Sequence, residues 1–210
     1  MPKPSVKTRN SKSAPARRSA SPLLIREPVL FLDIDGVLNG HTFHKVAQSC
    51  TIHPACVQAL NYVIERADPK IVLSSAWRYI IHGRAMSLMG FEYLLRTHGC
   101  GPMIRRIIAC TIPDEVCAHC NFKHARGSQK LSPLGEYICN ACGKTSSRGQ
   151  QITHWLDRNN VQRYAVVDDG DLGITAAGHP FLLTRGDVGL TLPNAKRLVG
   201  LLRRLSARKS

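Results

Sequence analysis

The 210-residue chain contains few aromatic side chains, few acids and no long apolar run. Phe, Trp and Tyr make up only 6% of the residues, so an extended platform for base stacking is not expected. No stretch approaches the ~20 apolar residues of a membrane-spanning helix, so we expect no membrane span. No export signal is evident, and without one the eight cysteines are not expected to form a disulfide framework. We therefore expect a cytoplasmic protein with reduced cysteines.

The scarcity of acids leaves the chain strongly basic. It has 29 Lys and Arg against 14 Asp and Glu, a formal net charge of +15 at pH 7. An excess this large favours a polyanionic partner, with nucleic acid as the first candidate and an anionic membrane surface as the second. The alternative is a soluble basic protein whose charged tails are simply solvated. No pattern in the sequence identifies a protein partner.

Composition also divides the chain into segments. Residues 1–27 are rich in Ser, Pro, Lys and Arg and lack an apolar run, so we expect a disordered basic N-terminal arm. This arm is either a passive tail or an organelle transit peptide, although its early prolines fit an amphipathic helix poorly. Residues 28–210 are expected to form one α/β domain, with residues 113–147 as an insertion within it.

The most informative segment of this domain is an apolar strand that ends in two acids. Residues 29–32 are Val-Leu-Phe-Leu, which predicts a buried strand of a parallel sheet. Asp33 and Asp35 follow, and Gly36 allows a sharp turn after them. Active sites of open α/β sheets lie at such carboxyl ends, and two neighbouring acids need a cation or a shared proton. The alternative is a buried strand followed by an ordinary Asx-type turn.

Three further motifs follow in order, each at the end of a predicted element. They supply hydroxyls, cations and more carboxylates: Ser74, Ser75 and Arg78 after a strand at residues 70–73, Arg148 near the start of a helix, and Asp168 and Asp169 after a strand that begins at Tyr164. These are the groups needed to handle a phosphate together with a divalent metal ion.

The segments DIDGVLN, LSSAWR, the RG–QI–WL helix and VVDD together resemble the haloacid dehalogenase (HAD) superfamily of phosphohydrolases. They are most similar to the HAD-like domain associated with Swiss-Army-Knife RNA repair proteins. The resemblance covers about residues 28–205 outside the insertion. It implies an α/β fold with a Rossmann-like parallel sheet flanked by helices, and a Mg²⁺-dependent phosphatase that forms an aspartyl-phosphate.

The resemblance also implies a role for each motif residue. Asp33 would be the nucleophile, and Asp35 the general acid and then the general base. Ser74 would bind a phosphoryl oxygen, and Arg148, at a position where the family usually has lysine, would offset the charge there. The implied ligands of Mg²⁺ are Asp33, the main-chain carbonyl of Asp35, and Asp168 or Asp169.

Two assignments stay open at this stage. A one-residue slip at the strand end would place Ser75 in the site instead of Ser74. Arg78 either contacts substrate phosphate or is a structural residue that stacks beside Trp77 or forms an ion pair.

A second feature is a pair of CxxC motifs, formed by Cys117 and Cys120 and by Cys139 and Cys142. Eighteen residues separate the two pairs, a spacing typical of a four-cysteine zinc site. Four thiolates close the tetrahedral shell of Zn²⁺, so we expect a structural and not a catalytic zinc. His119 and His124 are alternative ligands, and two disulfides or unrelated thiols are the alternative interpretations.

The insertion is thus expected to be a small zinc ribbon. It would act as a small cap beside an open cleft, as a docking module, or as a brace for a long loop. The open cleft, the basic charge and the resemblance favour a nucleic acid end or a nucleotide as the substrate. The alternatives are a phosphatase of small metabolites or phosphoproteins, and an inactive nucleic-acid-binding adaptor that keeps the fold.

Overall fold

A five-stranded parallel sheet lies at the centre of the protein. From one edge to the other, its strands are formed by residues 181–183, 164–168, 29–32, 70–73 and 107–110. The computed structural model describes residues 24–40, 52–77, 87–111, 117, 120, 130–131 and 137–204. The central strands are β2 (Val29–Leu32), β3 (Lys70–Leu73), β4 (Ile107–Cys110), β9 (Tyr164–Asp168) and β10 (Phe181–Leu183). All four residues of β2 are buried, as expected for the middle strand of a parallel sheet.

Helices cover both faces of this sheet. They are α1 (Pro54–Ala67), α2 (Leu88–Thr97), α3 (Gly101–Ile104), α4 (Arg148–Arg158) and α5 (Leu192–Arg203). Apolar side chains of α1, α2, α3 and α5 form one core, and those of α4 form the other. Side chains alternate along a strand, so Leu30 and Leu32 of β2 face the first core, whereas Val29 and Phe31 face the second.

Two small sheets accompany the central one. β1 (Leu24–Ile25) pairs in parallel with β8 (Asn160–Val161). The described chain therefore starts with a paired strand inside the predicted arm, and residues 1–23 of that arm lie outside the described residues. β5 (Lys130–Leu131), β6 (Tyr137–Ile138) and β7 (Thr145–Ser146) form an antiparallel sheet within the predicted insertion. In the part of the chain that the structure describes, no helix has the length and apolar character needed to cross a membrane.

Candidate active site

Three predicted site residues meet at the carboxyl edge of the central sheet. Asp33 follows β2, Ser74 follows β3, and Asp168 is the last residue of β9. The strands are in register: Leu32 pairs with both Leu73 and Val167. Asp33, Ser74 and Asp168 are the residues that follow these paired positions, so the parallel register places all three in one row.

Arg148 reaches this row from the first turn of α4. Ser147 caps the helix: its Oγ accepts a hydrogen bond from Gln150 N, while its own N–H donates to Gln150 Oε1. The guanidinium Nη1 of Arg148 lies 2.9 Å from Asp168 Oδ2 and 3.4 Å from Asp33 Oδ1. The Arg148 side chain is only 12% exposed. A largely buried cation thus bridges the two buried acids.

The two acids are close enough to perturb each other. Burial and the negative charge of Asp168 raise the pKa of Asp33 to about 8, although Arg148 and a hydrogen bond from Ser75 oppose the shift. Burial also raises the pKa of Asp168, again against the effect of Arg148. One guanidinium therefore does not neutralise this pair, and an additional cation would stabilise both carboxylates.

A metal ion fits this requirement. Single carboxylate oxygens of Asp33, Asp168 and Asp169 all lie within 4.8 Å of one another. Gly36 makes room for Asp169, because a Cβ atom at Gly36, whose φ is +69°, would collide with the Asp169 carboxylate. A set of oxygen donors of this kind suits Mg²⁺. The carboxylate of Asp35 is not part of this cluster, and the predicted role of its carbonyl as a ligand stays a prediction.

Asp35 is held instead by two side chains that the sequence did not identify as functional. Its Oδ1 accepts hydrogen bonds from Trp77 Nε1 at 2.8 Å and from Asn39 Nδ2 at 2.9 Å. The other end of the Asn39 amide accepts from the N–H of Gly36 at 3.0 Å. Asn39 belongs to the DIDGVLN motif and Trp77 to the LSSAWR motif. Their place in these motifs was the one sequence feature that could have marked them as functional.

The two candidate serines differ in their environments. Ser75 already has a partner, because its Oγ accepts from Trp77 N at 3.3 Å, and its hydroxyl also helps to oppose the rise in the pKa of Asp33. Ser74 is 1% exposed, and its Oγ has no hydrogen-bond partner within the described residues. By the alternation of β3, Ser74 follows Val72 onto the face of α4 and Arg148. Arg78 lies outside the described residues.

Comparison of the sequence with models of known protein families shows which family the chain belongs to. The model of the HAD domain in Swiss Army Knife RNA repair proteins matches residues 29–195. The chain belongs to this HAD domain family. This confirms the family and the fold class, a parallel sheet flanked by helices, predicted from the motifs.

A solved structure from Mesorhizobium loti, described as a HAD-like phosphatase, is similar to this HAD domain at 15% identity. The match covers 92% of this chain and 94% of that one, with a TM-score of 0.42. No curated protein matches the chain.

The start of α4 in the HAD domain is anchored by a histidine that the motifs did not reveal. His179 Nε2 lies 2.9 Å from the carbonyl oxygen of Gly149 and 3.1 Å from Thr153 Oγ1. Its Nδ1 lies 3.1 Å from the hydroxyl of Tyr164 on β9. Burial lowers the pKa of His179, although the hydrogen bond to Gly149 opposes this. A neutral ring protonated at Nε2 donates to Gly149 and accepts from Tyr164, which satisfies both nitrogens.

The four predicted zinc ligands lie together in the inserted segment. One Sγ atom from each of Cys117, Cys120, Cys139 and Cys142 falls within 4.8 Å of the others. Desolvation disfavours the thiolate of Cys139, but hydrogen bonds from the N–H groups of Cys142 and Ala141 lower its pKa to about 6. Four thiols so placed, with one favouring the thiolate, suit a tetrahedral Zn²⁺. His119 and His124 lie outside the described residues.

The inserted segment leads directly into the active site. β7 ends at Ser146, next to the Ser147 cap and two residues before Arg148. Gln151 of α4 donates from Nε2 to the carbonyl of Ser146 at 3.0 Å. A shift of β7 would therefore move the start of α4 and, with it, the Arg148 guanidinium.

Proposed function

We propose that this HAD domain is a Mg²⁺-dependent phosphatase that forms an aspartyl-phosphate and acts on nucleic acid ends or nucleotides. The observation that carries the proposal is the ionic contact of Arg148 with Asp33 and Asp168, beside a buried Ser74 hydroxyl that has no hydrogen-bond partner among the described residues. A buried hydroxyl without a partner is costly unless a ligand supplies one, and a phosphoryl oxygen is an acceptor of the right kind.

The chemistry needs two displacements at phosphorus. Asp33 attacks phosphorus, its new P–O bond forms as the bond to the leaving oxygen breaks, and Asp35 gives that oxygen a proton. Asp35 then takes a proton from water as the water attacks phosphorus and the bond to Asp33 breaks. Ser74 and Arg148 bind the phosphoryl oxygens and offset their charge.

Mg²⁺ would be held by the carboxylates of Asp33, Asp168 and Asp169 and would supply positive charge next to the phosphoryl group. It would also offset the burial and the negative charge of Asp168, which together raise the pKa of Asp33. The zinc ribbon at residues 113–147 would have a structural role, with Cys117, Cys120, Cys139 and Cys142 as ligands of Zn²⁺.

Charge supports a polyanionic substrate. The chain carries a formal +15, and four basic residues along α5 and at its C-terminal end are exposed. They are Lys196, Arg197, Arg203 and Arg204. The name of the matched family, which refers to RNA repair proteins, agrees with this substrate class.

The test is hydrolysis by matched variants in the presence and absence of Mg²⁺. Asp33→Asn should reduce phosphatase activity by at least about a thousandfold, because it removes the nucleophile. Asp171→Asn is the matched control, since Asp171 is an exposed loop acid that caps the N–H of Thr175. Equal activity of Asp33→Asn and wild type would refute the mechanism.

The substrate class is tested with 3′- and 5′-phosphorylated oligonucleotides, mononucleotides, sugar phosphates and a phosphopeptide. We expect the highest kcat/KM with the oligonucleotides, and an affinity that falls as salt is added because counterions are released. Indifference to polymer length would favour the metabolite phosphatase. Oligonucleotide binding without any hydrolysis would favour the adaptor.

A further inference from the structure

The indole of Trp77 contacts the residue proposed as the general acid. Trp77 is 3% exposed and packs at 6.2 Å, centroid to centroid, against Phe91 of α2. Its Nε1–H donates to Asp35 Oδ1 at 2.8 Å. Because the indole ring is packed in the core, the direction of this N–H is fixed. The N–H in turn fixes the orientation of the Asp35 carboxylate.

A second donor acts on the same oxygen from a different segment. Asn39 Nδ2 lies 2.9 Å from Asp35 Oδ1, and the Asn39 amide is itself oriented by the N–H of Gly36. Two N–H donors stabilise Oδ1 as an acceptor. The other oxygen, Oδ2, is the one proposed to exchange a proton with the leaving oxygen.

We infer that Trp77 is a positioning residue that aims the Asp35 carboxyl at the leaving oxygen and so sets reactivity toward esters with poor leaving groups. The inference rests on the proposed function, in which Asp35 is the general acid. It also refines that function. Phosphorylated nucleic acid ends release a sugar alkoxide, which departs only when it is protonated, so they depend strongly on a well-placed acid.

Leaving groups separate this role from a purely structural one. An aryl phosphate with an acidic phenol needs little proton donation, whereas alkyl phosphates and less acidic phenols need much. Damage to the fold would lower the reactivity of all these esters by the same factor. Misplacement of the acid would lower it most for the poorest leaving groups. The relevant constant is kcat/KM, since it reports the formation of the aspartyl-phosphate.

The experiment compares Trp77→Phe with Trp155→Phe, which alters the only other tryptophan, on the opposite core beside Phe31. Trp77→Phe should lower kcat/KM for a nucleoside 3′-phosphate by about 10-fold to 100-fold, but for p-nitrophenyl phosphate by less than about 3-fold. Trp155→Phe should change both esters by the same factor.

An isosteric replacement covers the case in which Trp77→Phe folds poorly. In the Trp155→Phe background, tryptophan is replaced by benzothienylalanine, which has sulfur in place of the indole N–H and alters only Trp77. The same selective loss with poor leaving groups is expected. In the Trp155→Phe protein that keeps Trp77, the indole N–H resonance of Trp77 provides a readout that does not depend on turnover. Asp35→Asn should shift this resonance upfield.

The outcomes are distinct. Two results would overturn the role of Trp77 without affecting the proposed phosphatase function. One is an equal loss of kcat/KM with both esters, and the other is an indole resonance that does not shift in Asp35→Asn. A wild-type protein that hydrolyses neither ester would overturn the proposed function and this role with it.

Discussion

His179 lies beneath the first turn of α4 and binds the carbonyl oxygen of Gly149, the residue next to Arg148, at 2.9 Å. The adjacent loop holds the same turn from the other side, since Gly149 N donates to the carbonyl of Leu172 at 3.3 Å. Gly149 has no room for a Cβ atom there, because the carbonyl of Gly173 occupies that space. The loop after Asp168 thus fixes the helix start that carries the cation of the site.

This relationship predicts that His179 acts through Arg148. His179→Leu should lower kcat about 10-fold, because a small displacement of the guanidinium weakens its contact with the phosphoryl group. In an Arg148→Ala background the same change should cost less than about 2-fold, since the group it positions is gone. Steady-state kinetics of the four proteins measures this coupling.

Two variants check this assignment. His179→Gln keeps a donor for Gly149 and should restore most of the activity. His154→Leu removes a half-buried histidine of the same helix whose Nε2 has no partner within the described residues, and it should leave kcat unchanged. Losses that multiply fully in the double variant would show that His179 affects only the fold.

The burial of His179 also has a consequence for how the free energy of unfolding depends on pH. Burial lowers its pKa below the ordinary value of 6.5, so the unfolded state binds more protons than the folded state once the pH falls below about 6.5. The raised pKa values of Asp33 and Asp168 act in the opposite direction, but the contribution of His179 to the free energy of unfolding should decrease as the pH falls through this range. His179→Gln should reduce that decrease. Denaturant titrations between pH 8 and pH 5 measure it, and parallel curves for the two proteins would contradict the prediction.

The central part of the site was predictable from sequence because it depends on local patterns. A short apolar run identifies a buried parallel strand, and the residues that follow it must lie at the sheet edge. Asp33 and Asp168 could be paired in this way without knowing any tertiary contact. The CxxC spacing is likewise local, and the four thiols do lie together.

The supporting contacts were not predictable because they join distant segments through side-chain geometry. Trp77 and Asp35 are 42 residues apart, and His179 and Gly149 are 30 apart. The hydrophobic periodicity of a sequence does not show which side-chain donor in a motif will contact which acceptor. Alternation along β3 separated Ser74 from Ser75 only once the environment of each face was known.

Gly36 should tolerate an added side chain poorly. Gly36→Ala would place a methyl group against the Asp169 carboxylate and strain a residue at φ +69°. We expect a loss of stability of about 1–2 kcal/mol and a weaker affinity for Mg²⁺. Gly178→Ala is the matched control, because Gly178 has a φ of +76° but nothing within 4 Å of the added Cβ.

Calorimetric Mg²⁺ titration and thermal unfolding separate the two effects of this change. Gly178→Ala should be destabilised by strain alone and should bind Mg²⁺ like the wild type. If Gly36→Ala also keeps wild-type affinity, Asp169 does not hold the metal ion.

The proposed zinc ribbon should be coupled to catalysis through the chain itself. The Cys139 turn is closed by hydrogen bonds from Cys139 N to the carbonyl of Lys144 and from Gly143 N to the carbonyl of Cys139. The chain then continues through β7 into the Ser147 cap and Arg148. Loss of zinc should loosen this segment and the start of α4, because a small ribbon has little core of its own.

Cys139→Ser should therefore lose its zinc, from one ion per chain to nearly none, and should lower kcat by about 10-fold through misplacement of Arg148. Cys110→Ala, at the end of β4 and outside the cluster, is the control and should keep its zinc. Elemental analysis of purified protein and kinetics at saturating Mg²⁺ measure the two effects. Full zinc content in Cys139→Ser would refute the metal site, whereas zinc loss with unchanged kcat would show that α4 holds Arg148 without help from the ribbon.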